Sequence, residues 1–159
     1  MNIIITLPIN LVAEIAEGRK QVEIRKSFPH NFNPDEDVVW VKTKGEDKVA
    51  LCFTVSHFGA SNDMADVWKR YHKQICVPYC WYFSYVQNAK LISIWHIQRV
   101  TIFTPNLSFS HTFKGVPAPQ QYIYTDVQLS DFISVDVVRT ANKIHVEFSR
   151  KSSRRKAVQ

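Results

Sequence analysis

The periodicity of apolar residues changes along this chain, and the change limits the folds that it can adopt. Alternation of apolar and polar residues, which is typical of strands, marks Gln21–Lys26 and Val38–Thr43, and Lys48–Phe58 is a longer, largely apolar strand. Residues 61–86 instead carry apolar side chains at helical spacing, and strand character returns at Ala89–Val100. Short helices within a series of strands indicate an α+β fold with a small curved sheet or β-barrel.

The first residues combine a strand, a helix and a turn. Ile3–Ile5 predicts a strand that is ended by Pro8. Asn10 is a candidate N-cap for the helix, and Gly18 suits the position just after its C-terminus, because glycine adopts positive φ at low cost. The apolar face of this helix is formed by Leu11, Val12, Ile15 and Ala16.

Two further helices are predicted in the middle of the chain, and shorter patterns follow them. Ser61-Asn62-Asp63 can cap the first helix, and Pro78 suits the first turn of the second. Trp81 and Tyr82 are adjacent on the second helix, so they cannot both face the core. The remaining segments are an irregular stretch at Thr104–Pro119, a short strand at Gln120–Thr125, short helical stretches at Ser130–Phe132 and Asp136–Thr140, and a last strand at Lys143–Phe148.

Length and charge predict one domain followed by a tail. The chain has 159 residues, of which 45% are hydrophobic and 21% are charged, and this predicts one compact domain over residues 1–149. The formal net charge is +6, and residues 150–159 supply five of the excess positive charges. This basic tail cannot bury apolar surface, so we expect it to be disordered. It either attracts a polyanion non-specifically or serves only as a solubilising terminus.

Composition also argues against several classes of protein. No apolar run approaches the length of about 18 residues that a membrane span needs, and the first residues predict a strand rather than a signal peptide. Three cysteines, an odd number, argue against a disulfide framework and favour a reducing, cytoplasmic compartment. The cysteines and the six histidines lack the spacing of metal ligands, so we expect no metal and no cofactor.

The predicted strand Gln21–Lys26 carries opposite charges on one face. Successive strand side chains point to opposite faces, so Val22 and Ile24 lie on one side and Glu23 and Arg25 on the other. A carboxylate and a guanidinium two residues apart can bind a polar ligand. They can equally pair with each other or with neighbouring strands.

A family resemblance favours the interpretation that Glu23 and Arg25 bind a ligand. Gly18, Lys20, Glu23 and Arg25 fit a Gly-x-Lys-x-x-Glu-x-Arg pattern that follows a short strand and a helix. Together with the order of the strands that come next, this pattern resembles the ASCH domain, a branch of the PUA-like β-barrel superfamily. The resemblance covers about residues 3–125 and includes a Pro-Ala-Pro-Gln-Gln-Tyr segment at 117–122. It implies a PUA-like small β-barrel with short helices inserted.

PUA-like domains are generally modules that bind RNA or modified nucleotides, so the resemblance implies such a partner. Six residues are expected to form a basic ligand-binding cleft: Lys20, Glu23, Arg25, Lys26, Trp40 and Gln120. The cations would hold phosphates, Glu23 would accept a hydrogen bond from a base amino group, and Gln120 would read a base edge. Trp40 would provide a ring for base stacking, and the alternatives for that role are Trp68, Trp81 and Tyr82, each of which also suits the core.

Catalysis stays an open question in the sequence. Some small ASCH proteins are amidohydrolases that remove the acetyl group from N4-acetylcytidine, using a Lys, a Thr three residues later and a Glu. Lys20 matches the Lys, but Glu23 occupies the Thr position. Residues 58–98, where the catalytic Glu is expected, contain only Asp63 and Asp66 as acids. The amidohydrolase set is therefore incomplete.

Two alternatives to a binding module remain. The first is a nucleoside or RNA hydrolase, including a ribonuclease, in which Glu23 acts as a general base and Lys20 stabilises charge. The second is a protein-interaction domain that exposes the aromatic segment Tyr79–Tyr85 and touches no nucleic acid.

Overall fold

The structure, a computed structural model, describes residues 1–132 and, as backbone alone, the strands at 136–140 and 143–147. Within these residues the strands are β1 (Asn2–Leu7), β2 (Val22–Arg25), β3 (Val38–Thr43), β4 (Lys48–Ser61), β5 (Ile92–Ser108), β6 (Ile123–Thr125), β7 (Asp136–Thr140) and β8 (Lys143–Glu147). The helices are α1 (Ile9–Ala16), α2 (Met64–Ile75), α3 (Tyr79–Val86) and α4 (Phe109–Thr112), and a 3₁₀ turn follows at Leu129–Asp131. The predicted tail, 150–159, lies outside the described residues.

The described strands form one mixed sheet, which confirms the α+β class. Its order is β6-β1-β3-β4-β5-β8-β7, and β2 pairs with the first part of β5. The pairs β1–β3 and β5–β8 are parallel, and the other pairs are antiparallel.

The prediction of a closed β-barrel is wrong for this sheet. Among the described strands, β2 forms its ladder only along β5, and no backbone ladder joins β2 to β6. A side chain spans this gap instead, because Nη1 of Arg25 donates to the main-chain oxygen of Gln121 at 3.0 Å, just before β6. The sheet is therefore open.

Three local predictions also need correction. The helix α1 begins at Ile9, and Pro8 rather than Asn10 occupies the N-cap position, since the Pro8 carbonyl accepts from the main-chain nitrogens of residues 11 and 12. β5 continues to Ser108 through a stretch predicted to be irregular, because Ser108 pairs with Lys48 at the start of β4. Asp136–Thr140 is a strand and not a helix, since it pairs antiparallel with β8.

Apolar packing determines which face of β2 lies against the helices. The side chains of Val22 and Ile24 lie in a buried cluster against α2 and α3, where their partners are Val67, Ile75, Tyr82, Val86, Ile92 and Ile94. Burying a side chain of this size contributes about 1.5–3 kcal/mol. The predicted alternation of β2 is thereby confirmed, and Glu23 and Arg25 point to the opposite face of the sheet.

In the part of the chain that the structure describes, no helix combines the length and the apolarity that a membrane crossing requires.

Candidate functional site

Lys20, Glu23 and Arg25 lie together, with the carboxylate between the two cations. Nζ of Lys20 is 3.9 Å from Oε2 of Glu23, and Nε of Arg25 is 3.6 Å from Oε1 of the same carboxylate. The exposed fractions of the three residues are 2%, 4% and 7%. The structure thus brings these predicted site residues together, but as a buried group of partly neutralised charges rather than as an open basic hollow.

Lys20 joins two elements of the fold. The chain leaves α1 through Gly18, whose φ of 79° suits glycine, and enters β2. Nζ of Lys20 then donates to the main-chain oxygens of Val22 and Ile75, each at 2.8 Å. Ile75 is the last residue of α2, so the ammonium lies at the negative end of that helix. Burial lowers the pKa of Lys20, and the nearby Glu23 carboxylate partly opposes that shift.

Glu23 and Arg25 each retain a polar atom without a hydrogen-bond partner among the described residues. Oε1 of Glu23 accepts from the main-chain nitrogen of Ile24 at 3.1 Å, whereas Oε2 has no such partner. Nη1 of Arg25 is bonded to Gln121, whereas Nε has no hydrogen-bond partner. Leaving such a buried group unbonded costs about 1–3 kcal/mol. A hydrogen-bond acceptor and a donor therefore lie side by side on this face.

Aromatic rings border this face, and the sequence analysis assigned none of them to the site. Glu23 pairs in register with Trp95, and Arg25 pairs with Ser93, so these side chains share one side of the sheet. Nε1 of Trp95 donates to Oγ of Ser93 at 2.6 Å. The ring of Tyr122 lies 6.5 Å from that of Trp95. The signal that would have identified Trp95 is the register between β2 and β5, which local patterns do not reveal.

Tyr85 of α3 packs on the other side of β2, against the cluster that contains Val22 and Ile24. Burial raises the pKa of its hydroxyl. The charge of Arg25 lowers that pKa, and the charge of Glu23 raises it. The ammonium of Lys26, an exposed residue, lies 4.6 Å from the centre of the Tyr85 ring. Gln120 is also exposed, and it directly precedes the residue whose carbonyl binds Arg25. Lys26 and Gln120 are thus exposed residues that are adjacent in sequence to Arg25 and to its partner Gln121.

Trp40 does not belong to this face, which corrects the expectation that it faces a ligand. Its side chain is 0% exposed. Its ring stacks on Phe103 at 5.6 Å between centroids and meets Phe113 edge-on at 5.4 Å. Trp40 therefore fills the apolar cluster on the other side of the sheet.

The other aromatic candidates divide between core and surface. Tyr82 is 0% exposed and Trp81 is 45% exposed, which confirms that only one of this adjacent pair faces the core. Trp68 is half-buried, and its ring packs 4.9 Å from that of Tyr82. Trp81 is the candidate that stays accessible.

The two acids of residues 58–98 serve α2. Oδ1 of Asp63 accepts from the main-chain nitrogen of Asp66 at 3.0 Å and so caps the helix. Asp66 forms an ion pair with Arg70 one turn later, at 3.0 Å. Neither acid replaces the Glu that the amidohydrolase arrangement requires.

A cavity of about 360 Å³ lies elsewhere and contains none of the six predicted residues. Two of its polar lining residues are already bonded, since Asn2 donates to Val127 and accepts from Val38, and Arg99 donates to the main-chain oxygen of Asp35. Over the described residues, no group of three or more His, Cys, Asp and Glu side chains could hold a metal ion. The face of β2 is therefore the better candidate for a polar ligand.

Comparison with known proteins bears on the fold. The sequence matches no protein-family model, and it has no significant match among curated proteins. The structure superposes on crystal structures of an ASCH protein from Zymomonas mobilis with a TM-score of 0.64 and 15% identity, covering 78% of this chain and 87% of that one. A further mutant form of that protein matches with a TM-score of 0.64 and 16% identity, over 78% of this chain and 89% of that one. The chain therefore has an ASCH-like fold.

Proposed function

We propose that this protein binds RNA or a nucleotide on the face of β2 that carries Glu23 and Arg25. The observation that carries the proposal is the pair of buried polar atoms there, Oε2 of Glu23 and Nε of Arg25, which lack hydrogen-bond partners among the described residues. An acceptor next to a donor complements the hydrogen-bonding edge of a nucleobase, which also presents donors next to acceptors.

The spacing of the charges favours a ligand over a purely structural ion pair. Charge-assisted hydrogen bonds between nitrogen and oxygen are about 2.7–2.9 Å long. The contacts of Glu23 with Arg25 and Lys20, at 3.6 and 3.9 Å, are longer than that. Neither cation donates a hydrogen bond to Oε2 of Glu23, so this oxygen can still accept a hydrogen bond from a base.

Each remaining residue has a supporting role in the proposal. Lys20 holds Glu23 and the end of α2 in place, since its ammonium is already bonded to two carbonyl groups. Lys26 and Gln120, which are exposed, would contact a phosphate and a base edge. The ASCH-like fold supports a ligand of this class, because PUA-like domains generally bind RNA or modified nucleotides.

The domain division completes the proposal. Residues 1–149 would form the binding domain, and the five cations of the tail at 150–159 would add electrostatic attraction for RNA. Such attraction is independent of sequence and declines with salt. The log–log slope of affinity against salt concentration is about −0.7 for each phosphate neutralised on a single strand.

The proposal is tested by titrating single-stranded RNA into the full chain at several salt concentrations. We expect Glu23→Gln and Arg25→Lys, which preserve size or charge, to weaken binding. Arg70→Ala, which removes an exposed arginine of α2, is the matched control and should leave specific binding in place. Thermal unfolding of each variant shows whether it is folded. Folded Glu23 and Arg25 variants that bind RNA as tightly as the native chain would contradict the proposal.

A further inference from the structure

The sheet carries a cavity of about 360 Å³ on the side to which Trp40 belongs. Glu23 instead shares its side of the sheet with Trp95, which packs in the other apolar cluster, so the cavity is separate from the proposed RNA site. Residues at alternating positions of β3, β4 and β5 form one wall, and the start of the 3₁₀ turn forms another: Val38, Cys52, Thr54, Arg99 and Thr101, then Gln128, Leu129 and Ser130.

Buried hydrogen bonds hold the cavity in shape. Oδ1 of Asn2 accepts from the main-chain nitrogen of Val38 at 2.8 Å, and its Nδ2 donates to the main-chain oxygen of Val127 at 2.8 Å. Oγ1 of Thr54 accepts from the main-chain nitrogen of Arg99 at 3.2 Å, which fixes the point where the arginine leaves β5. Largely preformed pockets of about 300–1,000 Å³ are typical of small-molecule sites.

Two opposite charges line this cavity without pairing. Nη2 of Arg99 donates to the main-chain oxygen of Asp35 at 3.0 Å, which orients the guanidinium and leaves Nε and Nη1 without a described partner. Oε2 of Glu36 accepts from Asn33 at 3.4 Å, and Oε1 has no described partner. Over the described residues, neither Arg99 nor Glu36 forms an ion pair, with the other or with any third residue.

The charges and the walls together indicate the class of ligand. A guanidinium binds a carboxylate through two parallel hydrogen bonds, and a carboxylate pairs with an ammonium group. Phe53 is the one aromatic residue among those that line the cavity, and its side chain packs in the cluster on the other side of the sheet. The cavity therefore lacks a ring on which a nucleobase could stack, whereas Val38 and Leu129 suit a short aliphatic group.

We propose that this cavity binds a small zwitterion, such as a free amino acid with a short aliphatic side chain. Its carboxylate lies on Arg99, its ammonium group lies on Glu36, and its aliphatic part lies against Val38 and Leu129. This site does not depend on the proposed RNA binding. Binding of any small anion through Arg99 alone is the competing outcome, and it predicts no role for Glu36.

The experiment titrates three probes into the full chain by calorimetry: valine, which has both charges, 3-methylbutanoate, which lacks the ammonium group, and isobutylamine, which lacks the carboxylate. Valine should bind about 10-fold more tightly than either analogue, the factor expected for one charge-assisted hydrogen bond. Arg99→Gln should remove the preference for valine over isobutylamine. Glu36→Gln should remove the preference for valine over 3-methylbutanoate.

The matched controls are Arg70→Gln and Glu17→Gln, which remove exposed charges of the same kinds outside the cavity and should leave all three affinities unchanged. Thermal unfolding of each variant shows whether it is folded. The proposal is overturned if valine does not bind, if it binds no better than 3-methylbutanoate, or if its affinity is unchanged in both folded cavity variants. Glu23→Gln should leave valine binding unchanged, so the outcome at the cavity is independent of the outcome for RNA.

Discussion

The ammonium group of Lys20 lies 2.8 Å from the main-chain oxygen of Ile75, and this contact connects the start of β2 to the end of α2. The main-chain nitrogen of Gln21 reinforces the same junction by donating to the oxygen of Gln74 at 3.0 Å. Because Lys20 also neighbours Glu23, one buried cation links the architecture of the helical layer to the geometry of the candidate site.

The first prediction concerns stability at this junction. Lys20→Met preserves side-chain length but removes one hydrogen-bond donor from each of two carbonyl groups and one counter-charge from Glu23. We expect the free energy of unfolding to fall by about 3–5 kcal/mol, the usual cost of breaking a buried charged pair. Urea denaturation measures this free energy of unfolding. Lys69→Met, at an exposed position of α2, should stay within about 0.5 kcal/mol of the native chain. An unchanged urea midpoint for Lys20→Met would show that the junction is unimportant.

The second prediction concerns pH. The rings of His57 and His96 stack at 4.0 Å between centroids, and Tyr71 meets His96 edge-on at 5.5 Å. Burial, and secondarily the charge of His57, lowers the pKa of His96 below its ordinary value of 6.5. The unfolded chain therefore takes up this proton first as the pH falls below 6.5, and the free energy of unfolding should decrease in that range.

Denaturation at a series of pH values checks this prediction. His96→Gln should flatten the decrease between neutral pH and about pH 5, the range in which an unperturbed histidine gains its proton. His30→Gln, at an exposed position, is the control and should retain the native slope. A slope that persists unchanged in His96→Gln would assign the effect to other groups.

The third prediction tests whether Trp40 belongs to the core or to the binding site. Trp40→Ala should lower the free energy of unfolding by about 3–5 kcal/mol, because it opens a cavity between Phe103 and Phe113. Trp40→Phe should cost less. Under conditions where both variants remain folded, their affinity for single-stranded RNA should equal that of the native chain. A loss of RNA affinity in folded Trp40→Phe would show that Trp40 belongs to the binding site.

Local sequence patterns predicted the structure correctly where one physical signal dominates. The bounds of β3, Val38–Thr43, agree with its β-rich sequence, and the cap of α2, Asp63, lies within the predicted stretch Ser61-Asn62-Asp63. The alternation of β2 correctly separates Val22 and Ile24 from Glu23 and Arg25, because only the apolar pair can pack beneath α2 and α3.

The same reasoning failed where both faces of a strand are buried. Every residue of β3 is buried, with Val39 and Val41 in one cluster and Trp40 in another, so alternation cannot tell a ligand face from a core face. The place of Trp95 opposite Glu23 depends on pairing between β2 and β5, which are far apart in sequence. Such register is set by the whole sheet.

The central claim is most directly tested by nuclear magnetic resonance of the arginine Nε–Hε groups, with single-stranded RNA tetranucleotides added stepwise. The signal of Arg25, assigned through Arg25→Lys, should shift on binding, and exchange of its Hε with water should slow as Nε gains an acceptor. The signal of Arg70 should stay unchanged. An Arg25 signal that does not move while the arginines of the basic tail respond would contradict recognition at β2.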